Sequence, residues 1–454
     1  MKIERTLSIM LFLCALDISV KAQSPTQNYV LSKDVLDVDG THAITTVTYY
    51  DGLNRLEEST YAEGEDMSQN KNRYSENVLS YSANGSIERL QRYGKKNNGT
   101  FGLIDDLTYS YNGNQIKAIS DKAGSLLYNG SFDFKDGANA DVEYFYDANG
   151  ALVKDLNKGI SNIEYDVLGN MKCITFSNGF KTKYIYDAAG NKLRITHESV
   201  VTNTTDYIGN FVLEDGKLSK YLFDGGYCSF DNNQNPSFHY YEKDHLGSVR
   251  MVVNENGTIE QVNHYYPFGG VYGDLSYKGE LQRNKYIGKE FDHMYGLDWY
   301  DHGARMYDAA RVVWDRIDNL GEKNSDISPY LYCHDNAINK FDPDGNDDYF
   351  SNSGQFLFSK GDSPNIYVAN GNNGFVNFNT LDLRRKNDLN TGVRIVGYYA
   401  RKAGVKYNVN GGRGYVGIST LHRTDNQKDV LAQTKGESIY LKMSNGKLNK
   451  EMYN

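Results

Sequence analysis

One short unit recurs through the middle of the chain and limits what the chain can fold into. It reads Tyr146-Asp147-Ala148-Asn149-Gly150, then Tyr165-Asp166-Val167-Leu168-Gly169-Asn170, then Tyr186-Asp187-Ala188-Ala189-Gly190-Asn191, with the aspartates 19 and 21 positions apart. Looser copies stand at Tyr50-Asp51-Gly52-Leu53-Asn54, Tyr81-Ser82-Ala83-Asn84-Gly85 and Tyr111-Asn112-Gly113-Asn114, and another runs from Tyr207 to Gly216. The flanking segments, such as Lys183–Tyr186 and Lys192–Thr196, alternate and are rich in aromatic and β-branched residues, which is the strand pattern. Between them the aspartate can bond the turn backbone while Gly or Asn supplies positive φ. Each unit is therefore a strand, a turn and a strand. A lone hairpin is marginal in water, so successive units must pair edge to edge into a long, curling sheet with its tyrosines along one face.

Composition agrees with many tight turns. The 454 residues include 44 Gly, 38 Tyr and only 6 Pro, and an aromatic share of 13% argues against wholesale disorder. No internal apolar run approaches the roughly 18–20 residues of a membrane helix, so no span is expected in the mature chain. Residues 1–22 read as an export signal: Lys2 and Arg5, the apolar run Leu7–Leu16, and the small-x-small pattern Val20-Lys21-Ala22. A secreted or cell-surface protein is the expectation. Beyond that segment the cysteines are Cys173, Cys228 and Cys333, too few and too scattered for a disulfide framework, and their spacing does not suit zinc. The Asp-x-x-Gly turns lack the 12-residue pattern of calcium loops. No cofactor or metal is expected.

Charge divides the chain. From Asp347 onward there are 15 Lys/Arg against 9 Asp/Glu, whereas the remainder holds 34 against 49. A basic tail on an acidic body suggests two functions joined end to end.

The Tyr-Asp units resemble the YD repeats of Rhs proteins, whose sheets spiral into a hollow shell. A more specific resemblance follows in order: Asp244-His245-Leu246-Gly247-Ser248-Val249-Arg250, Tyr266-Pro267-Phe268-Gly269, and Tyr286 with Gly288-Lys289-Glu290. It continues through Gly296-Leu297 to Tyr300, Gly303-Ala304-Arg305-Met306-Tyr307-Asp308, Ser328-Pro329-Tyr330 and Asp342-Pro343-Asp344-Gly345. This set is similar to the Rhs repeat-associated core. The resemblance implies a mainly β chain: signal 1–22, YD-repeat region 23–240, core 241–346, and a small α+β C-terminal module over 347–454. Residues 27–346 are short for that family, which implies a shell that does not close.

In several relatives a pair of aspartates cuts the chain just after the closing Asp-Pro-x-Gly element and frees a variable effector. By resemblance Asp318 and Asp342 are that pair, and Arg305 is the arginine associated with them. Two carboxylates held close share one proton, so the ionised member can activate water while the protonated one polarises the scissile carbonyl. Cleavage would fall between Asn346 and Asp347. The sequence departs from the family pattern at Ala309 (for Pro), Val312-Val313 (for Gly-Arg), Asn319 (for Pro), Asn336-Ala337 (for Asn-Pro) and Asn346 (often Leu). Self-cleavage and a non-cleaving relic are both open readings. Asp342–Gly345 alone also fits a type I turn, and His245 is read as a turn residue rather than half of a dyad.

In the tail, Asp348–Phe358 reads as a hairpin, Asn365–Val368 as a strand and Thr391–Ala403 as a helix, with a further hairpin around Gly411–Gly414. The tail has no HExxH, no phosphate loop and no Cys/His pair, and His422 is its one histidine. Arg384-Arg385-Lys386 with Arg394 suits either phosphate contacts, and hence nucleic acid, or a solvated charged face. The resemblance implies contact-dependent competition or toxin delivery, with an immunity protein as partner. The alternatives are a surface protein that binds glycans or cells without catalysis, and a shortened, inactive remnant.

Overall fold

The computed structural model describes residues 28–35, 43–318 (apart from 65–66, 125, 127–131, 224, 245 and 273–281), 327–340 and 342, together with short strands between 348 and 448. The chain divides into two compact units, Met1–Ile338 and Asn339–Asn454.

The first unit is built from antiparallel meanders, each strand beside the one before it in sequence. Seven strands from Asn28–Val35 to Gln115–Asp121 form one sheet, and thirteen from Tyr144–Tyr146 to Ile259–Val262 form a second. Among the described residues neither sheet pairs its two end strands with each other. A third, four-stranded sheet runs from Glu290–Asp292 to Val313–Trp314.

The turns carry the repeat. Asp147 Oδ1 accepts the N–H groups of Asn149 and Ala151, Asp166 those of Leu168 and Asn170, and Asp187 those of Ala189 and Asn191, all at 2.8–2.9 Å. Asp51, Asp231, Asp244 and Asn254 close their turns in the same way. The tyrosines add a second link. Tyr81, Tyr111 and Tyr165 donate their hydroxyls to the carbonyls of Leu56, Ile87 and Leu152, each the first residue after the preceding turn. A net contribution of about 1 kcal/mol per bond, repeated along the sheet, ties each unit to its predecessor.

The single long sheet expected from the repeats is broken between Asp121 and Tyr144. There side-chain carboxylates bond the backbone alongside the bond from Glu143 N to Lys117 O at 2.8 Å. Asp121 N bonds Asp136 Oδ2, Ile119 N bonds Glu143 Oε2, and Phe134 N bonds Asp105 Oδ1, at 2.9–3.0 Å. Carboxylates that take over backbone donors in this way leave no periodic signature.

The segment after Asp244 lies against both large sheets. Arg92 reaches the carbonyls of Ala309 and Ala310, Tyr330 Oη donates to Gly150 O, and Lys192 pairs with Glu290 and Asp301. Tyr-Pro-Phe-Gly is its hub: the carbonyls of Pro267, Phe268 and Gly269 accept the hydroxyls of Tyr286, Tyr307 and Tyr300. Gly269 is required there, because φ is +94° and a Cβ would meet the Tyr286 ring at 2.6 Å.

In the second unit, Asp348–Phe350 pairs antiparallel with Phe356–Phe358, as the hairpin reading expects, and parallel with Ile366–Ala369. Two further strand pairs lie between Ala432 and Leu448. The helix expected over Thr391–Ala403 and the hairpin at Gly411–Gly414 lie outside the described residues.

One turn gives an early test. Asp244 is buried and bonds Leu246 N, Ser248 N and Arg250 Nε at 2.9–3.0 Å. Asp244→Ala is expected to cost about 2–4 kcal/mol, since three donors lose a charged acceptor. Asp244→Asn, which keeps one acceptor oxygen, should cost clearly less in chemical denaturation.

Candidate self-cleavage site

Arg305 immediately precedes the strand Met306–Asp308, and its side chain is 4% exposed. Its guanidinium lies 4.2 Å from the centre of the Trp314 ring, and Nη2 donates to Asp318 Oδ2 at 3.0 Å. Trp314 is fixed in turn: its N donates to Tyr330 O and its Nε1 to Leu331 O, both at 3.1 Å. Tyr332 stacks on Tyr307 at 3.9 Å, and His302 meets Trp314 edge-on at 4.8 Å. Asp318 N donates to Pro329 O, so Ser328-Pro329-Tyr330 anchors the carboxylate's backbone as well. The arginine thus faces Asp318 through a planar group that packing holds in place.

Of the three residues expected from the sequence, the structure joins Arg305 and Asp318. Asp342 is buried and belongs to the second unit. Gly345, Asn346 and Asp347, around the expected cut, lie outside the described residues, as do Asn319 and His245.

The departures from the family pattern have a measurable consequence at Val312. It stands where the pattern has glycine, and its φ is +59°, the left-handed region in which a β-branched residue is an outlier. Strain of about 1–2 kcal/mol is offset by burial of the isopropyl group. The glycine-like backbone path into Trp314 is therefore kept without glycine.

Asp315 was not singled out from the sequence. It is buried, accepts from Met306 N at 2.9 Å and from Tyr165 Oη at 3.3 Å, and returns its own N–H to Met306 O. Burial pushes its carboxyl up, against the pull of Arg316 and other partners. Its place three residues before Asp318 was the only signal, and a weak one.

Comparison with known proteins gives three results. Residues 348–454 match the family described as Metallopeptidase toxin 2, and residues 26–318 match the teneurin YD-shell. Salivary gland surface protein 1 of Aedes aegypti is 27% identical over 231 residues, covering 44% of this chain and 6% of that protein. The tRNA3(Ser)-specific nuclease WapA of Bacillus spizizenii is 28% identical over 262 residues, covering 54% of this chain and 11% of that one. The chain thus spans about a tenth or less of the length of these curated relatives. A crystal structure of TcdB2-TccC3 aligns over 70% of this chain and 19% of its own, with 17% identity and a TM-score of 0.45.

A metallopeptidase would need a metal. Catalytic zinc takes three protein ligands, such as two histidines and a glutamate, often from H-E-x-x-H. Residues 347–454 offer His422 alone, with no cysteine, so the donors present do not fit that centre. Among the described residues no group of His, Cys, Asp or Glu is arranged to hold a metal ion, and no helix is long and apolar enough to cross a membrane. The match to residues 26–318 takes in well over half of the sequence and the turn-and-tyrosine architecture built on it: the chain belongs to the teneurin YD-shell family.

Proposed function

We propose that the chain is the carrier part of a toxin-delivery protein: a YD-repeat body that presents residues 347–454 and separates from them by cutting after Asn346. The observation that carries this reading is the Arg305–Asp318 pair, seated on Trp314 at the end of the repeat-associated core. Arg305 fixes the Asp318 carboxylate by a charge-assisted hydrogen bond, and a carboxylate held in this way is the group that would activate water. By resemblance Asp342 would be the second carboxylate of the pair. The domain scheme is signal 1–22, repeats 23–240, core 241–346 and module 347–454. Export, action in competition between bacteria, and an immunity protein that neutralises the module belong to the same proposal. The toxin-family match of the tail supports it. Nucleic acid as its target rests on the basic cluster Arg384-Arg385-Lys386 and on the nuclease relatives.

The test is a gel and an intact mass. Purified whole chain should yield a fragment of about 12 kDa, the tail's share of 51.3 kDa, with Asp347 at its N-terminus. Asp318→Asn and Asp342→Asn should each leave the chain whole. A parent chain that stays whole, indistinguishable from both variants, removes the cleavage. Expression of the whole chain in a bacterium should slow growth relative to a chain stopped at residue 346, and equal growth would count against a toxic module.

A second reading, recognition of glycans without catalysis, is favoured by the exposed rings of Phe211, Tyr221, Phe238 and Tyr240 on the thirteen-stranded sheet. Binding of the whole chain to a glycan array, lost when these rings are replaced by serine, would support it.

A further inference from the structure

Three strands of the thirteen-stranded sheet bring together a second set of side chains. Ser229 lies in Gly226–Phe230, His239 in Pro236–Lys243 and Glu260 in Ile259–Val262. Ser229 Oγ is 2.8 Å from His239 Nε2, and His239 Nδ1 is 2.5 Å from Glu260 Oε2. A carboxylate can only accept, so Nδ1 carries the proton in the neutral ring. Nε2 then presents its lone pair to the serine hydroxyl. This tautomer follows from the hydrogen-bond network.

The sheet register holds the ring in place. Tyr227 is directly opposite His239 and stacks on it, centroids 4.3 Å apart and planes 11° from parallel. Asn254, opposite His239 on the other side, donates to the second oxygen of Glu260 at 3.4 Å. The imidazole is buried, while Ser229 is only half-buried and open to a ligand. Lys220 is paired with Ser229 on the preceding strand and therefore shares its face. Its ammonium lies 5.7 Å from the Tyr227 ring centre. A nucleophile, a base in hydrogen-bond reach, a carboxylate orienting that base and, on the same sheet face, a cation are the parts an acyl-transfer site requires.

We infer that Ser229, His239 and Glu260 form an esterase site for carboxylic esters of short acyl groups. Ser229 Oγ bonds to the ester carbonyl carbon as its proton passes to His239 Nε2. The ester C–O bond then breaks, and His239 delivers that proton to the departing alkoxide, which leaves as an alcohol. Water attacks the acyl-serine, gives its proton to His239, and the acid departs as Oγ regains the proton. Glu260 orients the imidazole through Nδ1 as a positioning residue, and Lys220 offsets charge on the carbonyl oxygen. The open sheet face restricts the acyl group to a short one.

The experiment treats the whole chain with a fluorophosphonate, maps the adduct by mass spectrometry and follows p-nitrophenyl acetate hydrolysis. The expected result is one adduct, at Ser229, absent from heat-denatured chain. His239→Gln should slow both readouts by about 10²–10⁴-fold. Glu260→Gln should slow them less, and Glu260→Asp, which keeps a carboxylate, should recover part of that loss. Ser229→Ala, which removes one half-buried hydroxyl, should melt like the parent and lose hydrolysis. Three outcomes would overturn the assignment: no Ser229 adduct above the denatured control, hydrolysis surviving in Ser229→Ala, or labelling intact in His239→Gln.

Discussion

Replacing Arg92 with methionine is expected to destabilise the repeat body by about 3–5 kcal/mol. The side chain has no exposure, and its guanidinium meets four acceptors: Glu76 Oε1 at 2.7 Å, Asp105 Oδ2 at 3.0 Å, Ala310 O at 3.1 Å and Ala309 O at 3.0 Å. Those carboxylates are committed elsewhere too, Glu76 to Phe268 N and Asp105 to Phe134 N. One arginine thus fastens the seven-stranded sheet to the segment around Ala309, and its loss strands two buried carboxylates and two carbonyls. Burial already pushes Asp105 up to about 7 with Arg92 in place. Without the cation the Asp105 carboxyl rises further, so the deficit of Arg92→Met should shrink as pH falls toward 7 and level off below it, where the parent's Asp105 is protonated as well. Arg92→Lys should recover little, because one ammonium cannot span four acceptors in that geometry. Chemical denaturation at pH 8 and pH 5 checks all three, and a loss under about 1 kcal/mol at pH 8 would contradict the role given to the network.

Local chemistry was legible in the sequence, and long-range satisfaction was not. Asp147, Asp166 and Asp187 announce their turns because the carboxylate and the N–H groups it bonds lie within four residues. The same pattern explains Asp244, and the recurring tyrosines proved to reach back to the preceding hairpin. The break after Asp121 could not be read, since it depends on acceptors such as Asp136 and Glu143 placed by the fold. Arg305 and Asp318, 13 positions apart, were found only through resemblance; nothing in their spacing forecasts the tryptophan between them. At Val312 the residue type gives no sign of the left-handed backbone found there. Ser229, His239 and Glu260 meet only through the register of neighbouring strands, which a sequence does not display.

Acid should weaken the body through His264, and the effect should vanish in His264→Phe. The ring is buried parallel to Tyr272, centroids 5.8 Å apart, and burial, with Arg250 nearby, pushes its pKa down to about 3. In the unfolded chain the ring titrates near 6.5. Between those values the unfolded state holds a proton that the folded state lacks. Stability is therefore full above pH 6.5 and falls as pH drops toward 3, on the order of 1.4 kcal/mol per pH unit. Glu290 adds to the loss at the lower end. Lys192, Tyr207 and Arg283 hold it down at about 2, so its contribution, present above 4.5, disappears as pH falls toward 2. Asp105 works the other way between 7 and 3.8, because its raised pKa lets the folded state take the proton first. The informative quantity is therefore the difference between parent and variant. His264→Phe keeps an aromatic ring beside Tyr272 and removes the titrating group. From pH 6.5 to pH 4.5 its melting temperature should then fall by less than the parent's. Parallel curves for the two proteins would mean that His264 is not the group that charges.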